Sequence, residues 1–280
     1  MIKNSSVQTL DVRLNTLNKR SVEALGEMLR ENDHLRDLNL SSTGIDQFGY
    51  EALASAIALN KSLIELDLSF LDIGDDGCEN LKDMVKSNPA LQKLRLRSNN
   101  ITWVGCCSLM EGISRNLNLT EIDLSRNFLG DSGVEVLSRY IPQSAVIELN
   151  LENCGITSAG CHKLAEMISA SKQLKHVDLS VNFITDVGVF KLANALERSS
   201  VLRTIGLNMC GITNDGFSKL LDVLEKNTSI TLLKLCYNRL GREFTNASAS
   251  SDNLRYRLRI VTSSKPKLKI LLWGNVFEEC

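Results

Sequence analysis

The stretch LTEIDLSRNFLGDSGVEVLSRYI, residues 119–141, decides the fold. It opens with Ile122 and Leu124 apolar between Glu121, Asp123 and Ser125, the alternation of a short strand with one buried face. The chain turns at Asn127, and from Asp131 it reads as a helix with Val134, Leu137 and Ile141 on one face. Neither half can bury its apolar side alone. The partner it needs is supplied by the rest of the chain.

Leu35, Leu63, Leu91 and Leu119 stand 28 residues apart, and Val7 stands 28 before Leu35. Val146 follows at 27, then Leu174, Leu202 and Ile230 at 28 each. From each start the pattern is L-x-x-L-x-L-x-x-N/C-x-I/L, as in Leu91, Leu94, Leu96, Asn99 and Ile101, or Val146, Leu149, Leu151, Cys154 and Ile156. This is the leucine-rich repeat. Nine copies start between Val7 and Ile230, and a degenerate tenth is placed at Leu268. The L-x-L residues supply the inner face of a strand. Asn99, Asn127, Asn182 and Asn238, with Cys154 and Cys210 interleaved, are expected to form a hydrogen-bonded ladder where the chain leaves it. Asp75, Asp131, Ser158, Asp186 and Asn214 share one repeat position and are expected to cap the helix that follows. The glycines two residues later, such as Gly77 and Gly105, are expected to let helix and sheet approach closely.

The expected fold class is therefore α/β: a leucine-rich repeat solenoid with parallel strands on the concave face and helices on the convex face. A helix is wider than the roughly 4.8 Å strand spacing, so the stack must curve into a horseshoe. The period near 28, the full helix in each repeat and the Asn/Cys interleaving resemble the ribonuclease-inhibitor type of leucine-rich repeat, over roughly residues 7 to 240. Families of this type share architecture and little activity, so the resemblance implies a fold and not a target.

The totals agree with such a core: of 280 residues 43% are hydrophobic and only 5% aromatic, so the interior is aliphatic. A formal net charge of -1 gives no bulk attraction to nucleic acid or an anionic membrane. Neither is expected as a partner. The start, MIKNSSVQTL, lacks the features of a secretory signal. The expected location is cytoplasmic, with nuclear or ciliary as alternatives. Only Met1 to Ser6 precede the first repeat, so its edge is expected to meet a partner, or the chain to be a piece of a longer repeat protein.

Residues 1–240 are assigned to the repeats and 241–280 to an irregular C-terminal repeat and cap. Ten residues are counted as inserted before the tenth start. Residues 241–270 hold seven cations against Glu243 and Asp252. A terminal helix from about Asp252 and a core-closing Trp273 would make this a cap. Alternatively Arg255, Arg257, Arg259, Lys265 and Lys267 form a docking patch for an acidic protein surface or RNA.

Signs of chemistry are sparse. Cys78, Cys106 and Cys161 fall on the inner helix face, no C-x-x-C pair exists, and the adjacent Cys106 and Cys107 point apart. These thiols are assigned as structural and reduced, with Cys236 and Cys280 the more reactive. His34, His162 and His176 lie in separate repeats with no nucleophile beside them, and no phosphate loop is present. No enzyme, metal, cofactor or small-molecule substrate is expected. Ran GTPase-activating protein shares the architecture implied by the resemblance, but its long acidic tail has no counterpart in the basic C-terminal segment here.

The concave face can be read down the repeats. Asp11, Asn39, Asp67, Arg95, Asp123, Asn150, Asp178, Gly206 and Lys234 form one column, and Thr9, Asp37, Glu65, Lys93, Glu121, Glu148, His176, Thr204 and Leu232 its neighbour. Lys93, Arg95 and Arg97 make a basic band between acidic ones, and Val181, Met209 and Tyr237 turn the later repeats apolar. Either these charges pair across adjacent strands, Asp67 or Asp123 with Arg95, or they pattern a groove for a protein partner. The candidate contacts are Asp37, Glu65, Asp67, Phe70, Arg95, Glu121, Asp123, Glu148, Asp178, Met209 and Tyr237. The expected function is a non-enzymatic protein-interaction scaffold. The alternatives are a structural subunit of a large assembly such as an axoneme, and a regulator of a GTPase or ribonuclease.

Overall fold

The computed structural model describes residues 3–241 and 254–275, so Arg242, Glu243, Asp252 and Cys280 lie outside the described residues. Strands and helices alternate: β1 Thr9–Asp11, α1 Lys19–Glu31, β2 Asp37–Asn39, α2 Gln47–Leu59, β3 Glu65–Asp67, α3 Gly74–Ser87, β4 Lys93–Arg95, α4 Trp103–Ile113 and β5 Glu121–Asp123. The series continues with α5 Gly130–Tyr140, β6 Glu148–Asn150, α6 Cys161–Ala170, β7 His176–Asp178, α7 Thr185–Arg198, β8 Thr204–Gly206, α8 Asn214–Lys226, β9 Leu232–Lys234, α9 Leu254–Ser264 and β10 Lys269–Leu271. All ten strands join one parallel sheet in chain order. The opening stretch thus packs against its own copies: Ile122 pairs with Leu94 on one side and Leu149 on the other. Val134, Leu137 and Ile141 are buried against them, and one continuous aliphatic core runs the length of the solenoid.

The exit ladder forms as its chemistry requires. Asn127 donates to the carbonyls of Leu96 and Leu124, both at 2.9 Å, and its Oδ1 accepts from the N–H groups of Asn99 (3.0 Å) and Ile101 (3.1 Å). It thereby satisfies backbone groups of two repeats that the three-residue strands leave unpaired. Asn182 and Asn238 repeat the arrangement, and the interleaved Cys154 and Cys210 donate through sulfur to Leu124 and Leu179.

A second ladder, absent from the sequence-based expectations, runs along the opposite edge. Asn32, Asn60, Asn88, Asn116 and Asn227 are buried three residues before their repeat starts. Each Oδ1 accepts from the backbone where helix gives way to strand, as Asn60 does from Leu63 N–H at 2.7 Å. Each amide donates to the preceding repeat, as Asn60 does to Leu29 (2.7 Å) and Asn32 (3.0 Å). Serines interrupt the row, and at Ser171 the shorter side chain leaves its buried hydroxyl without a partner among the described residues.

Three expectations about local structure need correction. Asp75, Asp131 and Asp186 do not cap their own helices, which start one residue earlier without a side-chain cap (α7 starts at Thr185). They reach into the next repeat: Asp75 accepts from Thr102 N–H (2.8 Å), Thr102 Oγ1 (2.6 Å) and Gly105 N–H (2.9 Å), and Asp186 treats Thr213 and Gly216 likewise. The carboxylate therefore ties two repeats together at a helix N-terminus, where negative charge is favoured. Ser158 caps nothing with its side chain, since α6 starts later, and Asn214 accepts from Gly241. The same contact explains Gly105, Gly160 and Gly216: a Cβ on Gly105 would lie 2.5 Å from Asp75 Oδ1 and 2.9 Å from Asp75 Cα, a close approach of helix to preceding repeat, whereas a Cβ on Gly77 would meet Ile73 of its own repeat; neither is helix to sheet.

The C-terminal repeat also shifts. Ile270 pairs with Leu233, so Lys267 and not Leu268 takes the start position, nine residues are inserted rather than ten, and Asn275 falls at the ordinary ladder offset. Asn275 accordingly donates to Leu235 at 2.9 Å. Trp273 does not close the core. It is 65% exposed and packs edge-on against Tyr237, with ring centroids 4.9 Å apart.

Candidate concave interface

The strand pairing places both predicted columns as continuous rows: Asp37, Glu65, Lys93, Glu121 and Glu148 stand side by side, as do Asp67, Arg95 and Asp123. The outer row has a structural task that sequence reasoning missed. Asp11, Asn39, Asp67, Asp123, Asn150 and Asp178 each accept from the N–H two residues on, at 2.9–3.1 Å. Each makes an Asx turn that lifts the chain out of the strand. The signal was present as the Asx-x-Ser pattern of Asp67/Ser69, Asp123/Ser125 and Asp178/Ser180.

The residue after that turn lies in the left-handed region, as does its counterpart where Arg95, Gly206 or Lys234 replaces the Asx residue. Leu14, Ser42, Phe70, Ser98, Arg126, Asn153, Val181, Met209 and Tyr237, one per repeat, all have φ between 51° and 61°. Each non-glycine residue held there costs roughly 1–2 kcal/mol, and a β-branched residue such as Val181 is a marked outlier. In β10's repeat the position is Gly274, over which the Tyr237 ring lies. The strained column is largely displayed: Phe70 is 49%, Met209 55% and Tyr237 48% exposed. Val181 is half-buried.

The basic band is neutralised within the face. Lys93 pairs with Glu121 at 2.8 Å, Arg95 with Glu65, Arg97 with Glu152 at 3.3 Å, and Lys234 with Asp178 at 3.2 Å. Arg95 therefore pairs diagonally with Glu65, not straight across with Asp67 or Asp123. Burial is the largest influence on Arg95 and opposes its charge, but the Glu65 hydrogen bond together with the attraction of Glu65, Asp67 and Asp123 outweighs it and holds the pKa above the ordinary value. The Glu121 hydrogen bond does the same for Lys93. Asp37, Asp67, Asp123 and Glu148 form no salt bridge among the described residues, although Asp67 and Asp123 also attract Arg95. The face is left with surplus carboxylate.

Two members of the predicted C-terminal basic patch turn inward. Arg257 bonds Asp222 (2.6 Å), Glu225 (2.7 Å) and Ser218 (3.0 Å), which fastens α9 to α8. Lys265 donates to the carbonyls of Leu224, Glu225 (3.1 Å) and Asn227 (2.5 Å), taking the tenth rung of the second ladder. Burial holds its pKa below the ordinary lysine value. Arg255, Arg259 and Lys267 are exposed.

A shallow depression of about 100 Å³ lies among Lys93, Arg95, Glu121, Asp123, Glu148 and Asn150 on the concave face. Small-molecule sites usually enclose roughly 300–1,000 Å³, so this depression is smaller than such a site. Burial pushes the thiols of Cys78, Cys154, Cys161 and Cys210 up to about 12 and that of Cys106 higher still. Cys107 and Cys236 are half-buried.

Residues 3–26, 59–82, 115–138 and 170–193 match the family model described as Leucine Rich repeat. Ribonuclease inhibitor from Mus musculus is 39% identical over 67 residues, which are 23% of this chain and 15% of that protein. The chain is built of leucine-rich repeats similar to those of ribonuclease inhibitor. NACHT, LRR and PYD domains-containing protein 3 from Rattus norvegicus is 40% identical over 67 residues, 23% of this chain and 6% of that protein. The stretches matched in these relatives are thus a small fraction of their length. The leucine-rich repeat-containing protein LegL7 from Legionella pneumophila superposes with a TM-score of 0.59 at 16% identity, covering 95% of this chain and 90% of that one, and shares the fold. Leucine-rich repeat proteins commonly act as protein-interaction scaffolds, and the fold is typically non-catalytic.

Proposed function

We propose that this leucine-rich repeat protein is a non-enzymatic scaffold that captures a protein partner across its concave face. The column of left-handed residues carries this reading. A glycine at each of these turns would relieve the strain, yet the chain places Phe70, Met209 and Tyr237 there and exposes them. Large side chains kept at a cost to stability, on the face that the strands present outward, are what a binding surface requires. Aromatic and methionine side chains are also those enriched in interfaces. The surplus carboxylates at Asp37, Asp67, Asp123 and Glu148 favour a partner with basic groups. The proposal includes a cytoplasmic location, where the seven free thiols among the described residues stay reduced.

The test compares partners captured by proximity labelling with the intact chain, with Phe70→Ala/Met209→Ala/Tyr237→Ala, and with Arg255→Glu/Arg259→Glu. Loss of a partner only with the first variant supports concave capture. Loss only with the second moves the working surface to the C-terminal helix and to the structural-subunit alternative.

A further inference from the structure

The two rims of the solenoid carry opposite charge. All strands are parallel and each helix runs back beside them, so strand ends and helix N-termini share one rim, and helix C-termini and strand starts share the other. On the first rim, residues 16–20, 44–48, 72–76, 100–104, 128–132, 155–159, 183–187, 211–215 and 239–241 contain seven carboxylates against three cations, Lys19, Arg20 and Arg239, which stand at its two ends. Asp46, Asp72, Asp76 and Asp215 among them are exposed. On the second rim, the loops from each helix to the next strand hold eight Lys and Arg against one carboxylate, Asp33.

Three of those cations are turned onto backbone carbonyls: Arg36 onto Ser62, Arg203 onto Ser229, and Lys265 as described. Lys61, Arg115, Lys172, Lys175 and Lys267 are exposed, and their side chains make no hydrogen bond or ion pair among the described residues. The helix macrodipole accounts for cations inside last turns, such as Arg30 and Lys86. It does not account for five that stand beyond the helix ends. Helices of 10–14 residues separate the rims by roughly 15–20 Å, about twice the Debye length of roughly 8–10 Å. The two charges therefore do not cancel within one molecule. Exposed apolar groups follow the same division: Leu59 (68%) and Leu117 (81%) stand out from the cationic rim, and Trp103, Phe128 and Phe183 from the acidic one.

We infer that the occupant of each rim is a second copy of this chain, the acidic rim of one molecule docking on the cationic rim of the next. Repeat spacing is the same on both partners, so the two rims can lie along one another, with Asp46, Asp72, Asp76 and Asp215 facing the free cations and Leu59 and Leu117 facing the exposed aromatics. Such a contact is heterologous and does not close, so copies add into an open column. Stacking leaves every concave face free and aligned, which would give a repetitive partner several linked sites. Exposed ion pairs are individually weak and screened by salt, so the column forms at high protein concentration and low ionic strength.

Sedimentation velocity on the intact chain tests this at salt concentrations of about 10 mM and about 1 M, where the Debye length is about 30 Å and about 3 Å. Species larger than the monomer are expected at low salt, with return to monomer at high salt. Lys61→Glu/Arg115→Glu/Lys172→Glu/Lys175→Glu, and separately Asp76→Lys/Ser132→Lys/Asp215→Lys, should each remain monomeric, with folding checked by circular dichroism. Mixed together they should form a dimer, because the first keeps an intact acidic rim and the second an intact cationic one. A native chain that stays monomeric at low salt overturns the inference, as does association indifferent to salt or to both variants. A monomer that binds phosphatidylserine vesicles through the same cations also overturns it and assigns the rim to a membrane surface.

Discussion

Tyr237 and Asn238 are neighbours in the chain and opposites in role. Asn238 is buried, holds Leu207 and Leu235 at 2.8 and 3.0 Å, and occupies a position filled in the six repeats from Asn99 to Asn238 only by Asn or Cys. Tyr237 is left-handed and half exposed, and its position holds Leu, Ser, Phe, Ser, Arg, Asn, Val, Met and Tyr in turn. The same pairing recurs at Arg126/Asn127, Val181/Asn182 and Met209/Cys210. One residue per repeat closes the backbone's hydrogen bonds, and the residue beside it is displayed at a cost. The fold lives in the first and, on the reading proposed, the function in the second.

The largest expected effect comes from alkali, which attacks the interior and spares the display column. Four thiols move from an ordinary value of 9.0 to about 12 on folding. A raised folded value means stability is fully present below about pH 8.5, the unfolded thiol range, and is lost as pH climbs towards 12. Melting temperature followed by circular dichroism should be flat to about pH 8.5 and fall steeply above it; a flat profile to pH 11 would contradict this burial. Asn127→Ala comes next. It strands buried backbone groups of two repeats, and with a penalty of about 1–3 kcal/mol per orphaned group it should cost roughly 3 kcal/mol or more in urea unfolding. Gly105→Ala forces a methyl onto Asp75 and should cost about 1–3 kcal/mol, as overpacking does. Lys265→Ala removes a helix-end anchor and should cost about 1 kcal/mol; no loss of stability would return Lys265 to the surface patch.

The repeats, their parallel order and the membership of the concave rows were legible in the sequence because they are periodic. Other features depended on where a side chain reaches. Asp75 sits where a cap belongs, yet its partner Thr102 lies 27 residues on. Leu268 offered an apolar residue one position from the true register, and only the pairing of Ile270 with Leu233 corrects it. The second ladder did have a signal, an Asn three residues before Leu35, Leu63, Leu91, Leu119 and Ile230, hidden by the serines that interrupt it. Of the contact residues, Phe70, Met209 and Tyr237 lie where the columns put them. Their left-handed backbone left no mark in composition, because that conformation usually announces itself as Gly or Asn.

The contrast between ladder and display column is tested most directly by Met209→Gly, measured for both melting temperature and partner capture. Relief of left-handed strain should leave the melting temperature unchanged or raised by the equivalent of up to about 1 kcal/mol, while capture of the concave-face partner falls. A lowered melting temperature with capture intact would show that Met209 serves the fold and not the interface, and would contradict the account.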